Sequence, residues 1–473
     1  MIITRFAPSP TGILHVGNIS QPIFDFVYSR KESGGKFILR IEDTDKTRYV
    51  AEGEKAIFDA LDWLGLKYDE GPYKQSERLP IYQEHAKQLI DKGRAYYCFC
   101  SKERLEQIRK EKQESRLPPM YDRTCRKINP VEAKKRVENG EPFVIRMIIP
   151  DNEDLVIKDL LRGDVHFNSD SVDDQVLIKS DGFPTYHLAA TVDDHLMGIT
   201  YVIRGEEWLS SAPKHVLLYR YFGWQEPIWV HLPLFRNLDK SKLSKRKGHT
   251  SVFWYKEQGY LPEALINFLA LTIWGRDKEK EIFDLDTMIK EFKFEDVRMA
   301  APVFDIVKLD WINGVYIRNL SVEELKNKLI QFDTTIKNLD GMILDKVLPL
   351  IKDRLKRLNE FWDLAGYFFN ETKTPKEELI KLMLSESKLS APLTATNLTY
   401  LSNLKPAHWI AKEIDEELHK FQKESGTPPR QFFMPIRIAL CGGSFSPPLG
   451  EVIEVLGKSE TLKRIEIAKE MLI

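Results

Sequence analysis

Cysteine is scarce, with four residues in a chain of 473, too few for a disulfide scaffold at this length. Long apolar runs are missing too: no uninterrupted stretch approaches the ~20 residues that a membrane-spanning helix needs, so no membrane partner is expected. Neither charge is in excess, since 70 Lys and Arg face 71 Asp and Glu. That balance excludes a uniformly basic nucleic-acid coat but leaves room for local basic faces. Internal repeats and low-complexity tracts are absent, which excludes solenoids and disordered linkers. The opening Met1-Ile2-Ile3-Thr4-Arg5-Phe6 runs into a Pro-rich turn rather than a charged region followed by an apolar stretch, so a cytoplasmic location is the expectation.

What is present suits several soluble cores. Hydrophobic residues make up 42% and charged residues 30%, and the length exceeds that of one core, so two to four domains are expected. A short strand near Ile2–Phe6 meets a tight loop, Ala7-Pro8-Ser9-Pro10-Thr11-Gly12, and then a helical stretch that Gly34-Gly35 closes. Lys36–Ile41 alternates like a strand, and Ile57, Leu61 and Leu64 fall at helical spacing before Gly65. Strand, helix, strand, helix predicts a parallel α/β sheet. From Ala95 to about Tyr201 the pattern changes to a charged helix and short alternating strands, as for an insertion; Tyr201–Arg204 and Pro213–Phe222 then restore strand and helix. Pro262 opens an apolar helix that Gly275 closes. Beyond Asn319, Ser321-Val322-Glu323-Glu324 forms a capping box, and segments such as Asp345–Phe369 and Trp409–Phe421 carry helical periodicity, so the C-terminal third reads as all-helical.

Two strings fit the chemistry of a triphosphate. A glycine-bearing loop that runs into a helix N-terminus presents backbone N–H groups to phosphates, and Pro8–Asn18 has that form. Positive side chains on a second loop would cover the other side, and the stretch from Lys240 to Gly248 is dense in them. Either string alone says little; the pair in this order says much more.

His15-Val16-Gly17-Asn18 resembles the HIGH signature, and Lys242-Leu243-Ser244-Lys245-Arg246 the KMSKS signature, of class I aminoacyl-tRNA synthetases. Arg5-Phe6-Ala7-Pro8-Ser9-Pro10-Thr11-Gly12, Leu39-Arg40-Ile41-Glu42-Asp43-Thr44-Asp45 and Phe183-Pro184-Thr185-Tyr186-His187 are similar to the glutamyl and glutaminyl branch, and nearly the whole chain to its bacterial glutamyl type. The resemblance implies an α/β, Rossmann-like parallel-sheet catalytic domain (1–94 and 201–255, the latter with the KMSKS-like loop). It further implies an inserted α+β acceptor-stem-binding domain with a zinc site (95–200), a stem-contact domain (256–320) and all-helical anticodon-binding domains (321–473). The implied reaction activates L-glutamate with ATP and Mg²⁺ to glutamyl-adenylate, then transfers glutamate to the 3′-terminal adenosine of tRNA(Glu). Service to tRNA(Gln) stays open, and a monomer is expected.

Carried over residue by residue, the resemblance has Arg5 pairing bidentately with the glutamate side-chain carboxylate and Arg204 adding a second cation. Glu42 would hold the α-ammonium, and Ser9 and Tyr186 would supply neutral hydrogen bonds. His15 and Gly17 would meet ATP, Gly17 because a side chain there obstructs the nucleotide. Lys242 and Lys245 would neutralise charge building on the phosphates. Trp208 and Leu234 would border adenine. Some relatives carry Asn where this chain has Ala190, so one substrate hydrogen bond is expected to be missing or water-mediated.

Three of the four cysteines, Cys98, Cys100 and Cys125, cluster, and clustered thiols point to a metal; zinc takes four tetrahedral ligands. Some bacterial relatives place His two residues after the third Cys, where this chain has Lys127. The short tRNA-modifying paralogue uses Tyr-x-x-x-Cys, which Tyr121 and Cys125 match. One structural Zn²⁺ on Cys98, Cys100, Tyr121 and Cys125 is therefore expected. For the anticodon, Lys352, Arg354, Lys356 and Arg357 are expected on a C-terminal helix, where they would reach unstacked bases. A glutaminyl enzyme would end in β-barrels, the short paralogue lacks the helical third, and a non-catalytic descendant would not need His15, Gly17, Lys242 and Lys245.

Overall fold

The computed structural model describes residues 1–12, 14–45, 47–241, 250–370 and 374–472. It divides into two compact units, Met1–Trp254 with Leu265–Ile306, and Tyr255–Ala264 with Val307–Ile473.

In the first unit, β1 (Ile3–Phe6), β2 (Lys36–Ile41) and β3 (Glu70–Lys74) form a parallel sheet in the order β1-β2-β3. A second, antiparallel sheet joins β4 (Ala95–Cys98), β5 (Val144–Met147) and β8 (Val176–Ile178). The third has the order β7-β6-β10-β9, from β6 (Asp154–Asp159), β7 (Gly163–Asn168), β9 (Tyr201–Gly205) and β10 (Ile228–Leu232). The segment 95–200 is thus shared between two sheets, because β6 pairs with β10 through Asp159 and Trp229.

The first and third sheets adjoin along β1 and β9. Thr200 N–H donates to the Ile3 carbonyl at 3.0 Å, and the Thr200 hydroxyl accepts from Ile3 N–H at 2.8 Å. That places β1 beside β9 and gives the parallel order β3-β2-β1-β9-β10. Strand order reverses between β1 and β9, and in open α/β sheets ligands bind outside the carboxyl ends of the strands at such a reversal. β2 does not alternate as its sequence suggests: Phe37 through Ile41 are all buried, as expected for a parallel sheet covered on both faces.

Helix Val16–Ser29 buries Val16, Ile19, Ile23, Phe24 and Val27 at helical spacing. Helix Ala51–Leu64 ends at Gly65, whose left-handed φ of 71° caps it. Gly53 on that helix sits so close to the Pro8–Gly12 loop that a Cβ would lie 3.0 Å from Gly12 N and 3.1 Å from the Pro10 carbonyl oxygen. Together with the Val50 N–H bond to that same oxygen, at 2.9 Å, it holds the loop at the mouth of the sheet.

The second unit is helical among its described residues, from Val322–Phe332 to Leu449–Leu472, the latter broken at Gly457 (φ 76°, ψ 165°). The capping box is present: Glu324 N–H donates to the Ser321 hydroxyl and Ser321 N–H to the Glu324 carboxylate. The helix expected through Arg354, Lys356 and Arg357 is not there. Helix Gly341–Lys352 stops, and those three residues occupy the turn before the helix Phe361–Phe369. Glu360 is the reason, since its carboxylate takes the backbone N–H groups of Lys356 (2.8 Å) and Arg357 (3.3 Å) that helix carbonyls would otherwise accept. No helix among the described residues is long and apolar enough to cross a membrane.

Candidate active site

At the carboxyl ends of β1, β9 and β10 lies a cavity of about 360 Å³. The expected residues Arg5, Ser9, Gly17, Glu42, Tyr186, Arg204, Trp208 and Leu234 all line it. His15 precedes them as the N-cap of Val16–Ser29, its Nδ1 accepting from Gly17 N–H at 3.2 Å. In a neutral ring that leaves the proton on Nε2. Lys242 and Lys245 lie outside the described residues. Ala190 is buried beneath, on the helix Tyr186–Leu196.

The cations in this pocket differ in how they are balanced. Arg5 Nε stands 3.1 Å from Asp194 Oδ1, and its Nη1 donates to the Ile203 carbonyl at 3.3 Å. The wholly buried Arg40 donates to the same Asp194 oxygen at 2.7 Å and to Glu42 Oε1 at 3.1 Å. Burial would raise the Asp194 carboxyl, but Arg5 and Arg40 outweigh it and hold it below the ordinary carboxylate range. For Glu42 burial wins over the same two cations, and its carboxyl is raised. With Nε and one Nη1 hydrogen engaged, the Arg5 fork keeps the second Nη1 hydrogen and both Nη2 hydrogens outside these bonds.

Arg204 is different. Its Nε donates to His231 Nε2 at 3.0 Å, Nη1 to the Tyr186 hydroxyl at 3.0 Å and Nη2 to the Trp208 carbonyl at 3.4 Å. All three acceptors are neutral, and among the described residues no carboxylate oxygen comes within 4.0 Å of it. A guanidinium 3% exposed without a counter-ion is costly unless an anion arrives. The Tyr186 ring lies 4.7 Å from that of Trp208, which is 40% exposed and so offers a face to a ligand. Leu234 N–H is held by Glu206, itself paired with Arg162 at 2.5 Å.

Sequence reasoning gave no role to Asp194, Arg40, His231 or Asp159. Arg40 stands inside the Leu39–Asp45 string, but no local pattern marks the other three: Asp194 meets Arg5 across 189 residues of chain.

The cysteine cluster lies apart, at the end of β4. Sγ atoms of Cys98, Cys100 and Cys125 all fall within 4.8 Å of one another. The Tyr121 hydroxyl is 3.5 Å from Cys98 Sγ and 3.3 Å from Cys100 Sγ. Tetrahedral zinc with Zn–S near 2.3 Å spaces its sulfurs about 3.8 Å apart, so the donor set fits. Hydrogen bonds from Cys125 and then Tyr121 lower the Cys98 thiol from its ordinary value.

In the helical unit, Arg354 Nη1 donates to the Ser446 carbonyl and Arg357 pairs with Glu360 at 3.1 Å, while Lys356 is exposed. Beside Ser446 the ring of Phe445 is 89% exposed, bordering a cavity of about 260 Å³ with Trp362, Asp363 and Tyr367. An exposed ring of this kind can stack an unstacked base, and no feature of the sequence singled it out.

Residues 1–311 match the family described as tRNA synthetases class I (E and Q), catalytic domain, and residues 321–469 match the anticodon binding domain. The chain is 44% identical to the glutamate–tRNA ligase of Thermus thermophilus, over 99% of this chain and 100% of that protein. It is 44% identical to that of Acidothermus cellulolyticus, over 98% and 94%. Among solved structures, the glutamate tRNA ligase from Elizabethkingia meningosepticum in complex with its amino acid superposes with a TM-score of 0.86 at 35% identity, covering 100% of both chains.

Proposed function

The chain belongs to the class I tRNA synthetases of the glutamate and glutamine branch and joins glutamate to tRNA, and we propose that it selects glutamate chiefly through the unbalanced charge of Arg204. The observation that carries this is a buried guanidinium whose partners, His231, Tyr186 and the Trp208 carbonyl, are all neutral. The glutamate side-chain carboxylate is the missing counter-ion, with Arg5 adding Nη2 from the neighbouring strand. Glu42 receives the α-ammonium, and Ser9 and the Tyr186 hydroxyl complete the contacts.

ATP enters on the other side, against His15, Gly17 and the N-terminus of Val16–Ser29, with adenine between Trp208 and Leu234. An α-carboxylate oxygen of glutamate attacks the α-phosphorus, and the bond to pyrophosphate breaks. A hydroxyl of the terminal adenosine of tRNA then attacks the glutamyl carbonyl carbon, and AMP leaves. Positioning and charge suffice for both steps, so no dedicated base is required. Lys242 and Lys245, with Mg²⁺ on the nucleotide, meet the charge that develops on the phosphates; this part rests on the sequence.

The same reading gives 95–200 to the acceptor stem, 256–320 to a stem contact and 321–473 to the anticodon, where Phe445 and Arg354 face the bases beside Lys356 and Arg357. Cys98, Cys100, Tyr121 and Cys125 hold one structural zinc, which fixes the turn after β4 to the segment around Tyr121. The enzyme works as a monomer in the cytoplasm on tRNA(Glu), and charging assays with purified tRNA(Glu) and tRNA(Gln) decide the acceptor range. The preference for glutamate over glutamine in an Arg204→Gln variant tests the central assignment.

A further inference from the structure

Behind Arg204 stands a buried pair, His231 and Asp159, that is not part of the cavity lining. His231 on β10 is fully buried, and its Nδ1 lies 2.6 Å from Asp159 Oδ2. That oxygen also accepts the His231 backbone N–H at 3.1 Å, while Asp159 Oδ1 accepts the N–H groups of Leu161 and Arg162, each at 3.0 Å. Every direction around the Asp159 carboxylate is therefore filled by a donor.

The other ring nitrogen decides the chemistry. Arg204 Nε carries a hydrogen and can only donate, so His231 Nε2, 3.0 Å away, must present its lone pair. The single ring proton then sits on Nδ1 and goes to Asp159. A doubly protonated ring, or the opposite tautomer, would set one donor against another. Burial, and then Arg204 itself, hold the charged form of the ring down against the pull of Asp159.

We propose that His231, locked by Asp159 as the Nδ1–H tautomer, is a positioning residue that aims Arg204 at the substrate carboxylate, so that two strands of the central sheet set amino-acid recognition without touching the amino acid. An arginine side chain has enough rotamers to lose its aim. Here its Nε is pinned by His231, which leaves Nη1 to Tyr186 and Nη2 to the Trp208 carbonyl at the cavity wall. The Trp229 ring, 5.3 Å from the guanidinium carbon, bounds it on one face. Asp159 closes the turn between β6 and β7, so this hairpin is joined through β10 to the recognition end of the cavity.

The inference rests on the reading that Arg204 faces the glutamate side chain, and two isosteric replacements separate the parts. His231→Asn keeps a donor for Asp159 but withdraws the acceptor from Arg204, whereas His231→Gln keeps an acceptor at the Nε2 position and loses the Asp159 bond. In aminoacylation, His231→Asn is expected to raise KM for glutamate at least ~10-fold with KM for ATP within about twofold, and His231→Gln to stay within about threefold on both. Equal behaviour of the two variants, or parallel rises in both KM values, overturns the proposal. Arg204→Lys, measured alongside, identifies which premise fails. If it is impaired for glutamate while His231→Asn is not, the positioning role falls; if it is not impaired, the placement of Arg204 falls instead. Since a buried substitution can cost the fold, nitrogen chemical shifts of ¹⁵N-histidine-labelled unsubstituted protein at pH 7 give an independent reading. His231 is expected as the Nδ1–H tautomer, and an Nε2–H or imidazolium signature overturns the proposal without any variant.

Discussion

Arg204 donates to the Tyr186 hydroxyl at 3.0 Å, and its other donors likewise meet neutral acceptors, His231 Nε2 and the Trp208 carbonyl. Arg5, on the adjacent strand, has the opposite status, since Asp194 already balances it at 3.1 Å. Two arginines of one cavity thus differ: Arg5 is built into the protein's own charge network, and Arg204, in the reading proposed above, takes its anion from the substrate.

The first expectation concerns that network. Asp194→Asn preserves shape but leaves Arg5 and Arg40 short of a shared carboxylate, and breaking a buried pair in this way costs about 3–5 kcal/mol. The Asp194 carboxyl is held below its ordinary value in the folded protein, so its contribution is complete at neutral pH and is lost only as pH falls below about 4. Urea unfolding of both proteins from pH 8 to pH 3 should show a constant penalty that shrinks at the acid end; a penalty under ~1 kcal/mol at pH 7 contradicts the balance described here.

Asp25 carries the opposite sign. It is fully buried on Val16–Ser29, its Oδ1 has no hydrogen-bond partner, and burial pushes its carboxyl well above the ordinary value. A raised carboxyl stabilises the fold when protonated and loses that contribution as pH rises. Asp25→Asn should therefore gain in Tm relative to the unsubstituted protein as pH goes from 4 to 8. A difference that narrows over that range would show that the charged form is the one the fold prefers.

The metal expectation is compositional. Protein purified without chelators should hold about one zinc per chain, and Cys98→Ser should lose it and lower the stability of the β4-β5-β8 sheet rather than of the parallel one. Elemental analysis that finds no zinc removes the site.

Much of this was legible in the sequence because the catalytic strings are contiguous: Arg5–Gly12, His15–Asn18, Leu39–Asp45 and Phe183–His187 each keep their local chemistry wherever the chain goes. What was hidden depends on separation or on competition. Asp194 and His231 reach the cavity through Arg5 and Arg204, contacts between residues far apart in the chain. The turn at Arg354–Arg357 was misread because Ile351, Leu355 and Leu358, all buried, fall at helical spacing although Glu360 takes the backbone donors. β2 was expected to alternate, yet both its faces are covered. Phe445 gave no signal, since one aromatic residue in a loop is as often buried as exposed.

The most direct test of the central claim is kcat/KM for glutamate and for glutamine in the unsubstituted enzyme and in Arg204→Gln. A buried cation without its anion costs several kcal/mol, and each 1.4 kcal/mol is tenfold, so the unsubstituted enzyme should prefer glutamate by roughly 10³ or more. Arg204→Gln should lose most glutamate use and narrow that preference by at least ~10²-fold, whereas Arg5→Gln, which also disturbs the Asp194 network, should lower activity with a smaller change in the ratio. If the ratio in Arg204→Gln equals that of the unsubstituted enzyme, Arg204 does not read the side-chain carboxylate.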